Sequence, residues 1–200
     1  MISNEELIYN KLCEVYPNGH KSITELSRND TGGRNFIISN EFGFNYDLMH
    51  NCSPAYATEH KEKTPDALFF YGSKLYFIEF KEGGSKKPDI RLKIHDGITS
   101  LYHFTARNLP QISKDNFVNL AINYAVICRP ENTGRNSFIN ALQHASKRYN
   151  LKNIEGFLID KTVVLEQPQQ ILQLLNKVTA GRVKGISVFE HLGTTTSVNI

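Results

Sequence analysis

Cysteine is scarce in this chain: Cys13, Cys52 and Cys128 are the only three in 200 residues. An odd number of widely separated cysteines argues against a disulfide framework and suits free thiols in a reducing cytoplasm. The one close Cys/His pair, His50 with Cys52, has no second pair at zinc-site spacing. Apolar runs long enough to span a bilayer are missing. The opening MISNEELIYNKL carries acids early and holds no apolar stretch of signal-peptide length. A cytoplasmic protein with no membrane partner is therefore expected. Charge of one sign is also in short supply. A formal net charge of +3 permits nucleic-acid binding without demanding it, unlike the balance of strongly basic DNA-binding domains. There are no repeats or low-complexity runs, and Gly32-Gly33 and Gly83-Gly84 are too short and wrongly spaced for a phosphate loop.

What remains is ordinary for a globular chain: 40% hydrophobic and 22% charged residues, with enough length for one domain and a substantial core. The informative stretch is residues 64–81, TPDALFFYGSKLYFIEFK. Gly72-Ser73 reads as a two-residue hairpin loop, and Gly at its first position suits a type II′ turn. In that register Tyr71 faces Lys74, Leu68 faces Phe77, and Asp66 faces Glu79. Alternation then projects Asp66, Glu79 and Lys81 to one side. Two carboxylates facing across a ladder, with Cβ atoms about 4.5–5.5 Å apart, destabilise the pair unless something positive lies between them. A divalent cation is the natural candidate, because Mg²⁺ takes carboxylate oxygens and keeps several waters. Charges at strand ends are commonly solvated. Here, however, Phe69, Phe70, Leu75, Tyr76, Phe77, Ile78 and Phe80 make both faces of the hairpin apolar, as in strands covered on both sides. Charge embedded in such strands is costly unless it is paired.

Pro65-Asp66, twelve intervening residues and Glu79-Phe80-Lys81 resemble the signature of the PD-(D/E)xK nuclease superfamily. The resemblance covers the motif and the α/β core around it, to about Arg129. It implies that Asp66 and Glu79 ligate Mg²⁺ or Mn²⁺, and that Lys81 orients or activates the water that attacks a phosphodiester. Pro65 belongs to the signature and carries no chemistry. A glutamate of the first helix often completes the metal site in that family, and Glu5, Glu6 and Glu14 are the options, with Glu6 preferred. Acids at a helix N-terminus also serve simply to offset its partial positive charge.

Along the chain, Ser3 or Asn4 can cap a first helix with a Leu7, Ile8, Leu12, Val15 stripe, ended by Tyr16-Pro17-Asn18-Gly19. Residues 17–63 are hard to read: a short helix at Ile23–Leu26, a strand at Phe36–Ile38, and a strand or ordered loop from Phe42 to Met49, with Asp47 as a further candidate acid. After Lys81 comes a basic connector and a helix with Pro88 in its first turn. Ile90, Ile94, Ile98 and Leu101 form its buried seam. Lys87, Arg91 and His95 share another face, with Lys86 and Lys93 nearby. These basic residues either form a solvated face or touch the phosphate backbone. Phe117–Cys128 reads as a buried strand, residues 134–149 as a helix, Ile154–Ile159 and Thr162–Leu165 as short strands, Pro168–Val178 as a helix, Ile186–Phe189 as an edge strand, and residues 193–200 as a frayed tail.

The expected architecture is α/β: a restriction-endonuclease-like αβββαβ core, with a central mixed sheet flanked by helices, plus C-terminal α/β additions. One domain spans residues 1–200, with its core at about 1–130, additions at about 131–192 and the tail beyond. The expected activity is metal-dependent hydrolysis of phosphodiester bonds by a metal-activated water, in DNA rather than RNA, by a homodimer or with a partner protein. The alternatives are a catalytically inactive nucleic-acid-binding or assembly module, and a nuclease subunit that needs a targeting partner.

Overall fold

The computed structural model describes residues 2–29, 33–49, 63–82, 87–129, 149–157, 159–190 and 193–200. The Ser3 hydroxyl accepts the Glu6 N–H and starts α1 (Asn4–Val15). After β1 (His20–Ser22), a capping box between Ser22 and Glu25 opens the single turn α2 (Ile23–Leu26). Short strands β2 (Arg28–Asn29), β3 (Arg34–Asn35) and β4 (Ile37–Ile38) lead to β5 (Phe42–Asn45) and a 3₁₀ turn at Tyr46–Met49. The hairpin is β6 (Ala67–Tyr71) and β7 (Lys74–Lys81). There follow α3 (Lys87–Asn108), α4 (Lys114–Val118) and β8 (Ile122–Cys128). The chain ends with β9 (Lys161–Leu165), α5 (Pro168–Val178), β10 (Gly185–Phe189) and β11 (Thr195–Asn199).

The central sheet is mixed, in the order β1-β5-β6-β7-β8-β9. Its first four strands are antiparallel neighbours, while β7-β8 and β8-β9 are parallel. A second sheet runs β11-β10-β4, so the C-terminal additions pair with a strand from the first forty residues. Alternation along the strands divides the core in two. Phe44, Leu68, Leu75, Phe77, Tyr124 and Val126 face α1 and α3, meeting Ile8, Leu12 and the expected seam Ile90, Ile94, Ile98 and Leu101. Ala67, Phe69, Tyr76, Ile78, Ala125 and Ile127 face α5 and the second sheet, meeting Ile171, Leu172, Leu175 and Val188. The central sheet is thus covered on both faces, which is why its inner strands read as continuous apolar runs.

Several expectations are corrected. Gly72 and Ser73 both have positive φ, 57° and 56°, so the turn is type I′ rather than II′. The loop length is unchanged, and so is the register. The strand expected from Phe117 begins only at Ile122, because Ser113 caps the short helix α4 by accepting the Asn116 N–H. Among the described residues of 154–159 no strand forms. A 3₁₀ turn at Leu151–Ile154 leads into an isolated bridge between Glu155 and Ile159. The expected frayed tail is the strand β11, paired along the whole of β10, which makes β10 a central strand rather than an edge. Thr195, Thr196 and Val198 are β-branched and suit that pairing. The helix expected at 134–149 falls almost wholly outside the described residues.

Candidate functional site

The β6-β7 ladder ends at Ala67 opposite Ile78, one step short of Asp66. The Asp66 side chain extends the connection, its Oδ2 accepting the Phe80 N–H at 2.6 Å. Its backbone carbonyl accepts the Tyr46 N–H at 3.1 Å, which ties the same residue to the end of β5. Asp66, Glu79 and Lys81 are brought together as the alternation predicts. Lys81 Nζ lies 2.6 Å from Glu79 Oε1.

The charge required between the two acids comes from α3. Lys93 Nζ lies 3.1 Å from Asp66 Oδ1 and 2.8 Å from Glu79 Oε2. The Glu79 side chain is fully buried, while those of Lys93, Asp66 and Lys81 keep 18%, 20% and 25% of their exposure. Such a buried cluster persists only because every charge has an opposite within contact distance. Burial, and then the Glu79 charge, push the Asp66 carboxyl up to about 7, against the pull of Lys93, the Phe80 N–H and Lys81. Burial alone would lower the pKa of Lys93, but Asp66 and Glu79 together hold its ammonium well above the usual lysine range. On β8, Tyr124 is raised well above the usual phenol value, by burial first and then by Glu79 and Asp66.

Among the described residues, the buried side-chain polar atoms without a hydrogen bond are Glu79 Oε1, Tyr124 OH, Glu82 Oε2 and Arg129 Nε. Glu79 Oε1 has the Lys81 ion pair but no aligned donor. Glu82 and Arg129 pair with each other at 3.0 Å, just beyond β7 and β8, and the Arg129 N–H donates to the Lys81 carbonyl. Unsatisfied buried polar atoms are rare enough that each calls for an explanation. These belong to residues of the parallel pair β7-β8 or the residues just beyond its C-terminal end. Tyr124 lies mid-strand, whereas Glu79, Glu82 and Arg129 lie at or just beyond the C-terminal ends of β7 and β8, the side of an open α/β sheet where ligands bind.

The donor set fits a divalent cation. Two carboxylates already converge on one positive centre, and the waters that such an ion retains would supply donors that Glu79 and Tyr124 lack. Asp66 and Glu79 are the residues that would hold it.

Glu6 does not join them. Among the described residues, no group of three His, Cys, Asp or Glu side chains gathers to hold a metal. The reason lies in how α1 docks: Glu5, its neighbour, is buried and accepts the Ala121 N–H at 2.8 Å. At about 3.3 Å of rise per residue, Ala121 lies roughly 16 Å before Val126, the partner of Glu79. Glu14 pairs with Lys11 on the surface. Asp47 lies in the 3₁₀ turn and accepts the Thr64 hydroxyl. Arg91 donates to the Asn150 carbonyl at 3.2 Å. Lys86 and the side chain of Lys87 lie outside the described residues.

Lys93 is the residue whose place the sequence reading missed, having assigned it to a basic outer face. A signal was present. Positions four and seven residues later are Gly97 and Ser100, small residues on a helix face pressed against the sheet, and both are buried. A lysine in line with them points inward. No family model, curated protein or solved structure matches this chain.

Proposed function

We propose that this chain is a metal-dependent nuclease of the PD-(D/E)xK type, with a restriction-endonuclease-like fold, that hydrolyses phosphodiester bonds in DNA. The observation that carries the proposal is the convergence of the Asp66 and Glu79 carboxylates on one cation beside Lys81. The element order α1-β5-β6-β7-α3-β8, with β5, β6, β7 and β8 adjacent in that order, supports the same reading. Mg²⁺ or Mn²⁺ bound there would lower the pKa of a water and offset charge on the phosphate. The Asp66 carboxylate is held by the Phe80 N–H, and Glu79 lies between the Lys81 and Lys93 ammoniums, so both acids are already oriented towards one centre. Lys81 is anchored by Glu79 Oε1 and is the most open of the four charges, which suits it to orient the attacking water. As the water oxygen joins phosphorus it releases a proton to solvent, the bond to the sugar oxygen breaks, and that oxygen takes up a proton from solvent.

The test is cleavage of single- and double-stranded DNA and RNA with Mg²⁺, Mn²⁺ or EDTA, comparing wild type with Asp66→Ala and Lys81→Ala. Metal-dependent cutting of DNA, lost in both variants, is expected. Cleavage by Asp66→Ala equal to wild type overturns the assignment.

A second reading has an observation of its own. Lys93 already neutralises the facing acids, as in a relative that binds nucleic acid or assembles with a partner and has given up catalysis. That reading predicts nucleic-acid binding indifferent to Mg²⁺ and to Asp66→Ala, with no cleavage by wild type.

A further inference from the structure

We infer that Lys93 is a built-in occupant of the cation position, which a divalent ion must expel in order to bind. The inference rests on Asp66 and Glu79 being metal ligands, and it follows from how their oxygens are used. Asp66 Oδ2 accepts the Phe80 N–H, and Glu79 Oε1 faces the Lys81 ammonium at 2.6 Å without an aligned hydrogen bond. Asp66 and Glu79 are the residues that would hold a metal, and Lys93 Nζ donates to both, at Asp66 Oδ1 and Glu79 Oε2. Mg²⁺ binds oxygen at about 2.0–2.1 Å, whereas the ammonium stands at 3.1 and 2.8 Å. An ion held by both carboxylates would need the place between them that Nζ now fills.

Charge leads to the same conclusion. Two carboxylates and two ammoniums sum to zero, so a dication entering beside both lysines would leave a strongly positive centre next to a fully buried Glu79. Expelling Lys93 relieves that repulsion. The exchange needs only the side chain to move. Lysine has a flexible four-carbon stem, and Lys93 retains 18% exposure, while its helix stays anchored where the Tyr46 hydroxyl donates to the Gly97 carbonyl. Without metal, Lys93 keeps the facing acids from repelling each other. With metal, its ammonium is released towards the open side of the site, where a phosphodiester would arrive.

The experiment measures acetylation of individual lysines by mass spectrometry in the wild-type protein, with and without Mn²⁺. Calorimetric Mn²⁺ titrations of wild type, Lys93→Met and Asp66→Asn accompany it. Mn²⁺ is expected to speed Lys93 acetylation several-fold while surface lysines such as Lys11 stay unchanged. Lys93→Met is expected to bind Mn²⁺ on the order of tenfold more tightly, with one opposing charge removed. Saturating Mn²⁺ that leaves Lys93 acetylation unaltered overturns the inference and leaves the metal site standing. The labelling arm decides even if Lys93→Met does not fold. Absence of Mn²⁺ binding by both wild type and Lys93→Met, or binding unaffected by Asp66→Asn, overturns the metal reading itself.

Discussion

Gly97 of α3 lies so close to Pro65 that a Cβ built on the glycine would stand 2.7 Å from the proline Cδ. Gly97 is one helical turn after Lys93, so this approach sets how near Lys93 comes to Asp66, the residue after Pro65. Glycine in a helix interior costs about 1 kcal/mol relative to alanine. Gly97→Ala would therefore stabilise α3 if only propensity mattered. Pro65 is a rigid ring and cannot swing aside, so overpacking of about 1–3 kcal/mol opposes that gain. We expect a net loss of about 1 kcal/mol in urea unfolding, together with weakened cleavage. A gain in stability would mean that α3 can retreat from Pro65 without cost.

The pH dependence follows from Asp66. Its pKa of about 7 in the fold lies above the ordinary aspartate value, which is about 3.9 in an unfolded chain. Between those values the native state holds more proton than the unfolded state, so stability falls as pH rises through that window. The fall is of the order of a few kcal/mol and is complete above the folded pKa. Asp66→Asn removes this contribution while keeping an oxygen for the Phe80 N–H. Without metal, the wild type should lose stability relative to Asp66→Asn between pH 5 and pH 8 in urea titrations. Parallel curves for the two proteins would rule out an ionisation made costly by burial at this position.

The Glu82–Arg129 pair, with side chains only 7% and 17% exposed, joins the ends of β7 and β8 beside Lys81. Removing one partner strands the other charge, so Arg129→Met should lower stability by about 3–5 kcal/mol. The double variant Arg129→Met with Glu82→Leu should recover much of that loss, because an apolar pair carries no desolvation cost. Denaturant unfolding of the three proteins checks this. A double variant no more stable than Arg129→Met would show that the pair does more than neutralise itself.

The hairpin was legible because its determinants are local. A two-residue loop with glycine fixes the register between two apolar runs, and the alternation of faces along a strand then puts Asp66, Glu79 and Lys81 on one side, as in the fold. The seam of α3 and the limits of α5 were legible for the same reason, through helical spacing and Pro168 at the first turn. β11 was not, because a polar threonine-rich segment becomes a strand only when β10 offers its edge. Glu6 was misplaced because the position of a helical acid depends on which end of the sheet its helix docks against, and Glu5 settles that through Ala121.

The sequence alone determined that two acids and a lysine would share one side of a buried hairpin, and that something positive had to stand between the acids. Backbone alternation and the cost of facing like charges require both. Which cation stands there was decided only by the tertiary structure. Lys93 is 27 residues from Asp66 along the chain, and it reaches the acids because the missing side chain of Gly97 lets α3 settle against Pro65.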